Sequence, residues 1–187
     1  MSLARIYLDA VIGEYENQRR LAEGAIAQLS DAELSAVPDP ESNSVLVIMK
    51  HVGGNLRSRW RDFLTTDGEK PDRDRDAEFE ASPADGAAVR ALWEEGWRVL
   101  LDSLAGLSEA DLERTVYVRS EPHTVVRAIE RSLAHTGYHV GQIVYAAKAS
   151  RGGGWRTLSI ARGQSRVFRE AMRQRHEAPG GGPPAGA

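Results

Sequence analysis

Apolar positions recur along most of the chain at intervals of three and four residues, and the strict alternation of a half-buried strand is almost absent. The pattern predicts an all-α protein. In the first segment Tyr7, Val11, Tyr15, Ala22, Ile26 and Leu29 share one face, while Glu16, Arg19, Arg20 and Glu23 face water. With Ser2 as cap, this is a long amphipathic helix ending near Leu29. After the break at Pro38-Asp39-Pro40, Asn43 or Ser44 can cap a second helix to about Leu64, with Val45, Ile48, Val52, Leu56, Trp60 and Phe63 on its apolar side. Gly53 and Gly54 fall inside that helix, where each costs about 1 kcal/mol relative to Ala, so a closely approaching helix or ligand is the expected compensation.

Residues 65–81 are polar and acidic and long enough to travel from one end of a bundle to the other. A third helix opens at Ser82-Pro83 and carries Val89, Trp93, Trp97, Leu100, Leu101 and Leu104 on one face. Thr115–Val118 suits a short extended piece, Glu121-Pro122 a turn, and Thr124 caps a fourth helix from Val125 to about Ser150, ended by Arg151-Gly152-Gly153-Gly154. The sequence Leu29-Ser30-Asp31-Ala32-Glu33-Leu34 returns as Leu107-Ser108-Glu109-Ala110-Asp111-Leu112, a weak repeat of Ser-x-x-acid capping boxes that suggests two related helical hairpins. The predicted fold is a four-helix bundle with a long crossover between the second and third helices. Residues 155–163 read as irregular and 164–176 as a short basic helix with a solvated charged face. Residues 1–176 form one predicted domain, and 177–187 a disordered tail.

Composition narrows the chemistry. The 187 residues are 41% hydrophobic and 27% charged with a net charge of -3, which fits a globular protein with a sizeable core and argues against a surface built wholly for polyanions. The basic runs at Arg57, Arg59, Arg61 and residues 162–175 lack interleaved aromatic residues, so no nucleic-acid partner is expected. The absence of cysteine excludes disulfides, thiolate ligands and a cysteine nucleophile; any thiol must come from outside. No apolar run is long enough to cross a bilayer, so a cytoplasmic protein without a membrane partner is expected.

Of the five histidines, His135 and His139 lie four residues apart, one turn along one helix face, and His51 lies mid-way along the second helix at a comparable depth. Three neutral imidazoles would leave a divalent ion its full charge and open positions, as in a catalytic site; Zn, Ni, Fe and Co all suit such donors. The same spacing also suits an ordinary histidine pair. Here, however, the two alternate with Leu133, Val140, Ile143 and Val144, and buried imidazoles without a shared ion need other partners. Asn55 and Gln142 are candidates to orient ligands or substrate. His123 and His176 read as solvent-facing, and no carboxylate is evident beside the histidines.

Met49-Lys50-His51 together with His135-Thr136-Gly137-Tyr138-His139-Val140-Gly141-Gln142-Ile143, set in this layout, resembles the DinB-like (YfiT-like) superfamily of small bacterial metalloproteins over roughly residues 3–165. Residues 55–60, 62–70 and 158–165 are most similar to a branch of it without an assigned reaction; Ala161 departs from that pattern, where the family carries Pro. The resemblance implies a divalent metal at His51, His135 and His139, a small-molecule substrate and frequently a homodimer. Trp60, Trp93 and Trp97 are candidate exposed aromatics for such an interface. It further implies S-transfer from a low-molecular-weight thiol such as bacillithiol or mycothiol to an electrophile. Metal-dependent hydrolysis stays open, as does a non-catalytic module that holds a small ligand.

Overall fold

Side-chain caps start most of the long helices where the sequence places them. In the computed structural model, which describes residues 2–37 and 39–176, Ser2 accepts a hydrogen bond from the Arg5 amide and opens α1, Leu3–Ile26. Pro38, inside the predicted break, and the predicted disordered tail at 177–187 lie outside the described residues. Ser30 opens the short α2, Asp31–Ser35, through a capping box with Glu33. Ser44 opens α3, Val45–Trp60. Ser82 and Asp85 form a second box around a 3₁₀ turn that leads into α4, Gly86–Ala105. The other half of the repeat is a 3₁₀ turn, Glu109–Glu113, boxed by Ser108 and Asp111. Thr124 caps α5, Val125–Arg151. The two repeat copies thus share their cap but differ in helix type.

The chain divides into two units, one ending at Trp155 and the other beginning at Arg156. Within the first, α3 packs along α4 and α1 along α5, while α3 also meets α5 and α1 meets α4. The second carries α6, Ser165–His176, an amphipathic helix rich in arginine. Among the described residues no helix is long and apolar enough to cross a membrane.

The mainly helical expectation holds with one addition, a two-stranded antiparallel hairpin of β1, Thr115–Val118, and β2, Glu121–Thr124. Glu121-Pro122 is therefore strand and not turn. The turn is Arg119-Ser120, whose φ angles of 57° and 62° give the left-handed pair a two-residue hairpin needs. Neither residue is a usual former of that turn. Asp67 compensates by accepting from both turn amides, at 2.8 Å from Arg119 and 2.7 Å from Ser120. The second helix also stops earlier than expected: Asp62 turns the chain at φ 50°, and the Trp60 carbonyl accepts from the Ser103 hydroxyl at 2.7 Å instead of extending the helix.

The core corrects the reading of the tryptophans. Trp60, Trp93 and Trp97 are all buried, with Trp60 edge-on to Tyr15 and Trp93 edge-on to Trp97, so they offer no exposed aromatic surface for a second copy. Gly53 is explained by helix contact. A Cβ on Gly53 would lie 2.8 Å from the Leu92 carbonyl oxygen, and one on Gly96 would lie 2.5 Å from the Gly53 oxygen, so the two backbones touch where both residues lack a side chain. Gly96→Ala is expected to lower stability by about 1–3 kcal/mol through this overpacking. Gly13→Ala, with nothing within 4 Å of the added methyl in α1, should raise it by up to about 1 kcal/mol. Urea denaturation of both variants checks the contrast.

Candidate metal centre

The α3–α5 contact brings the predicted histidines together. His51 projects from α3; His135 and His139 stand one turn apart on α5. His51 is buried and the other two are half-buried. One nitrogen from each can be chosen so that all three lie within 4.8 Å of one another. His51 Nε2 and His135 Nε2 are 3.3 Å apart, and the ring centres of His51 and His135 stand 4.8 and 4.5 Å from that of His139.

The surroundings fix which nitrogens face inward. His51 Nδ1 lies 2.9 Å from Glu78 Oε2. An ionised carboxylate only accepts, so Nδ1 is the donor in this bond, and Nε2 is the nitrogen left facing His135. Glu78 is ionised for a visible reason. Burial alone would raise its pKa, but hydrogen bonds from Arg73 and His51 hold it below the usual carboxylate value. Arg73 grips it with two parallel bonds, Nε to Oε1 and Nη2 to Oε2, each 2.7 Å, and the Arg73, Glu78 and His51 side chains are only 4, 6 and 4% exposed. On α5, His139 Nδ1 lies 2.8 Å from Gln142 Oε1, while the Gln142 amide donates to the Tyr138 hydroxyl at 3.0 Å. That orients the amide oxygen toward the ring, so neutral His139 carries its proton on Nδ1 and its lone pair on Nε2.

Both α5 imidazoles favour the neutral form. His135 is pulled down to about 3, chiefly by burial and then by repulsion from His139, His51, Arg73 and Arg59. His139 is lowered in the same way, by burial and by His51, against an opposing bond to Gln142. Neutral, inward-facing nitrogen lone pairs are the donor set of a divalent metal ion.

Sequence reasoning brings His51, His135, His139 and Gln142 to this place, and Asn55 to the cavity wall beside His51. His123 lies apart from the three on β2 and is not solvent-facing: its side chain is 8% exposed, against Arg131 at 3.1 Å and Glu121 at 3.4 Å. The expectation of no neighbouring carboxylate is overturned by Glu78. It sits on a 3₁₀ turn, Ala77–Phe79, in the crossover, which the sequence reads only as a polar, acidic connection. The available signal was Gly54. A Cβ there would collide with the Glu78 carboxylate, so this second glycine makes room for the group that holds His51. Phe79 stacks on the His51 ring with centroids 4.6 Å apart and closes the site from the same turn.

A family model described as "Protein of unknown function (DUF1572)" matches residues 2–164. Comparison with curated proteins and with solved structures gave no match.

The lowered His135 and His139 values set the sign of a pH effect. Below the ordinary histidine pKa the unfolded chain takes up protons that the folded site resists, so this contribution to stability is full above about pH 6.5 and is lost as the pH falls toward about 3. Urea midpoints in the presence of chelator should fall across that window. The decline should be shallower in His135→Asn.

Proposed function

The chain belongs to the DUF1572 family of proteins of unknown function, and from that premise we propose that His51, His135 and His139 hold a divalent metal ion and that the protein is a metal-dependent enzyme. The observation that carries the proposal is the outward side of the site. His51 is oriented by Glu78 and His139 by Gln142, each through Nδ1, the arrangement by which proteins set the tautomer and direction of a ligating imidazole. Three imidazole nitrogen donors suit Zn, Ni, Fe or Co. Such an ion supplies Lewis acidity, which lowers the pKa of a coordinated thiol or water and makes it nucleophilic near neutral pH.

The residues favour a thiol over water. A hydrolase commonly uses a carboxylate as general base, and the one beside this site is committed: its oxygens accept from Arg73 and His51, and Arg73 keeps it ionised but buried. Glu78 is an orienting group. A low-molecular-weight thiol, activated without a protein base, fits this site better, and the chain has no cysteine to compete with it. We therefore read the reaction as S-transfer from an external thiol to a small electrophile. The packing of α1, α3, α4 and α5, with the crossover between α3 and α4, supports reading the fold as the DinB-like four-helix bundle.

Protein purified without chelator or nickel resin should carry about one divalent ion per chain, His139→Ala almost none, and His123→Ala the wild-type amount. Equal metal content in wild type and His139→Ala refutes the centre. Glu78→Gln, which keeps the shape but loses the charge, should weaken metal affinity about 10- to 100-fold in competition with a chromogenic chelator. The reaction itself is tested with monochlorobimane and bacillithiol, mycothiol or glutathione in turn. Catalytic consumption of one thiol by the loaded protein, and none by His139→Ala, is the expected result.

A further inference from the structure

Beside the histidines lies a cavity of about 200 Å³ whose wall includes His51 and His135. This is below the roughly 300–1,000 Å³ of pockets for drug-sized ligands, so its occupant is small. Four arginines from four parts of the chain contribute to the lining: Arg59 from α3, Arg75 from the crossover, Arg119 from the hairpin turn and Arg131 from α5. Among the described residues no carboxylate lines it.

These cations are poorly balanced behind the wall. Glu69 meets Arg59 at 2.9 Å and Arg119 at 3.0 Å, so one negative charge answers two of the lining guanidinium groups, and it also lies 3.5 Å from Arg73, which Glu78 already holds. Among the described residues Arg131 has one carboxylate partner, Glu121, at 3.4 Å in a half-exposed pair of the kind that contributes little, and its other contact is the His123 ring at 3.1 Å. Arg75 lies over the Phe79 ring, 5.2 Å from its centre. Arg59 is the most enclosed of the four. Its side chain is 13% exposed, and its buried Nη1 has no hydrogen-bond partner among the described residues. A buried guanidinium with an unused donor is costly in isolation. Against walls of Trp60, Phe63 and Val118, in a low local dielectric, an incoming anion is strongly favoured. Guanidinium forks match planar carboxylates and phosphates in particular.

We infer that the molecule accepted here carries a compact anionic group, a carboxylate or a phosphate, held by Arg59, Arg119 and Arg131 with its reacting end toward His51 and His135. The anion site stands on the cavity alone; only the direction of the reacting end rests on the metal-centre reading. The arginines thereby select the substrate class of the same site.

The test separates the two. Calorimetric titration of chelator-stripped protein with inorganic phosphate, propionate and uncharged propionamide removes any contribution from a metal ion. At least one of the anions should bind and propionamide should not; which anion binds distinguishes the phosphate from the carboxylate. In the double variant Arg119→Gln/Arg131→Gln, whose side chains are about half-exposed and so can be replaced without opening the core, affinity for that anion should fall about tenfold or more. Metal uptake by the same variant should match wild type. Arg59→Gln provides a second reading of the enclosed end. Binding of neither anion, equal binding of propionamide, or unchanged affinity in the double variant overturns the inference. Failure of the wild type to take up metal while anion affinity and its arginine dependence persist overturns only the metal centre.

Discussion

The site depends on one buried chain of hydrogen bonds, Arg73 to Glu78 to His51. Desolvating a carboxylate is expensive, and in this position it is tolerable only because a guanidinium answers it with two parallel bonds and an imidazole with a third. The consequence reaches the backbone. Glu78 can come this near only because Gly54 has no side chain, and its turn is held close by the Lys50 ammonium, which donates to the Glu80 carbonyl at 2.5 Å. A connection that would otherwise be solvated chain becomes an inner wall of the protein.

The same helix carries a second close contact. Gly53 and Gly96 let α3 and α4 touch backbone to backbone, while Gly54, one residue on, faces the crossover. Two adjacent glycines thus answer two different neighbours, one for packing and one for the histidine. This accounts for a pair of residues that intrinsic propensity alone disfavours in a helix interior.

Helix starts were legible because Ser2, Ser44 and Thr124 satisfy amide donors locally, and local chemistry is written in consecutive residues. The three histidines were legible because helical period and topology suffice to align them. Glu78 and Arg73 were not, since their partnership depends on how an irregular segment folds back over α3, and an acidic stretch such as residues 65–81 carries no period to show it. The hairpin turn was hidden for a related reason: Arg119 and Ser120 are poor turn formers by themselves, and the stabilising carboxylate, Asp67, lies far away in sequence. Composition alone makes three large rings excessive for a small core; the packing absorbs them, Trp60 against Tyr15 of α1 and Trp93 against Trp97 within α4.

Asp67 clasps the hairpin, Ser58 donates to the Gly68 carbonyl at 2.9 Å and accepts from the Lys70 amide at 3.2 Å, and a few residues later Glu78 reaches His51. Surface connections ordinarily tolerate gains and losses of length at little thermodynamic cost. Between Asp67 and Glu78 that freedom is gone: an inserted residue cannot be absorbed without slackening either the strap over the hairpin or the carboxylate on the imidazole. Length drift in this protein should accordingly be confined to stretches outside that span, making the connector as dimensionally strict as a helix.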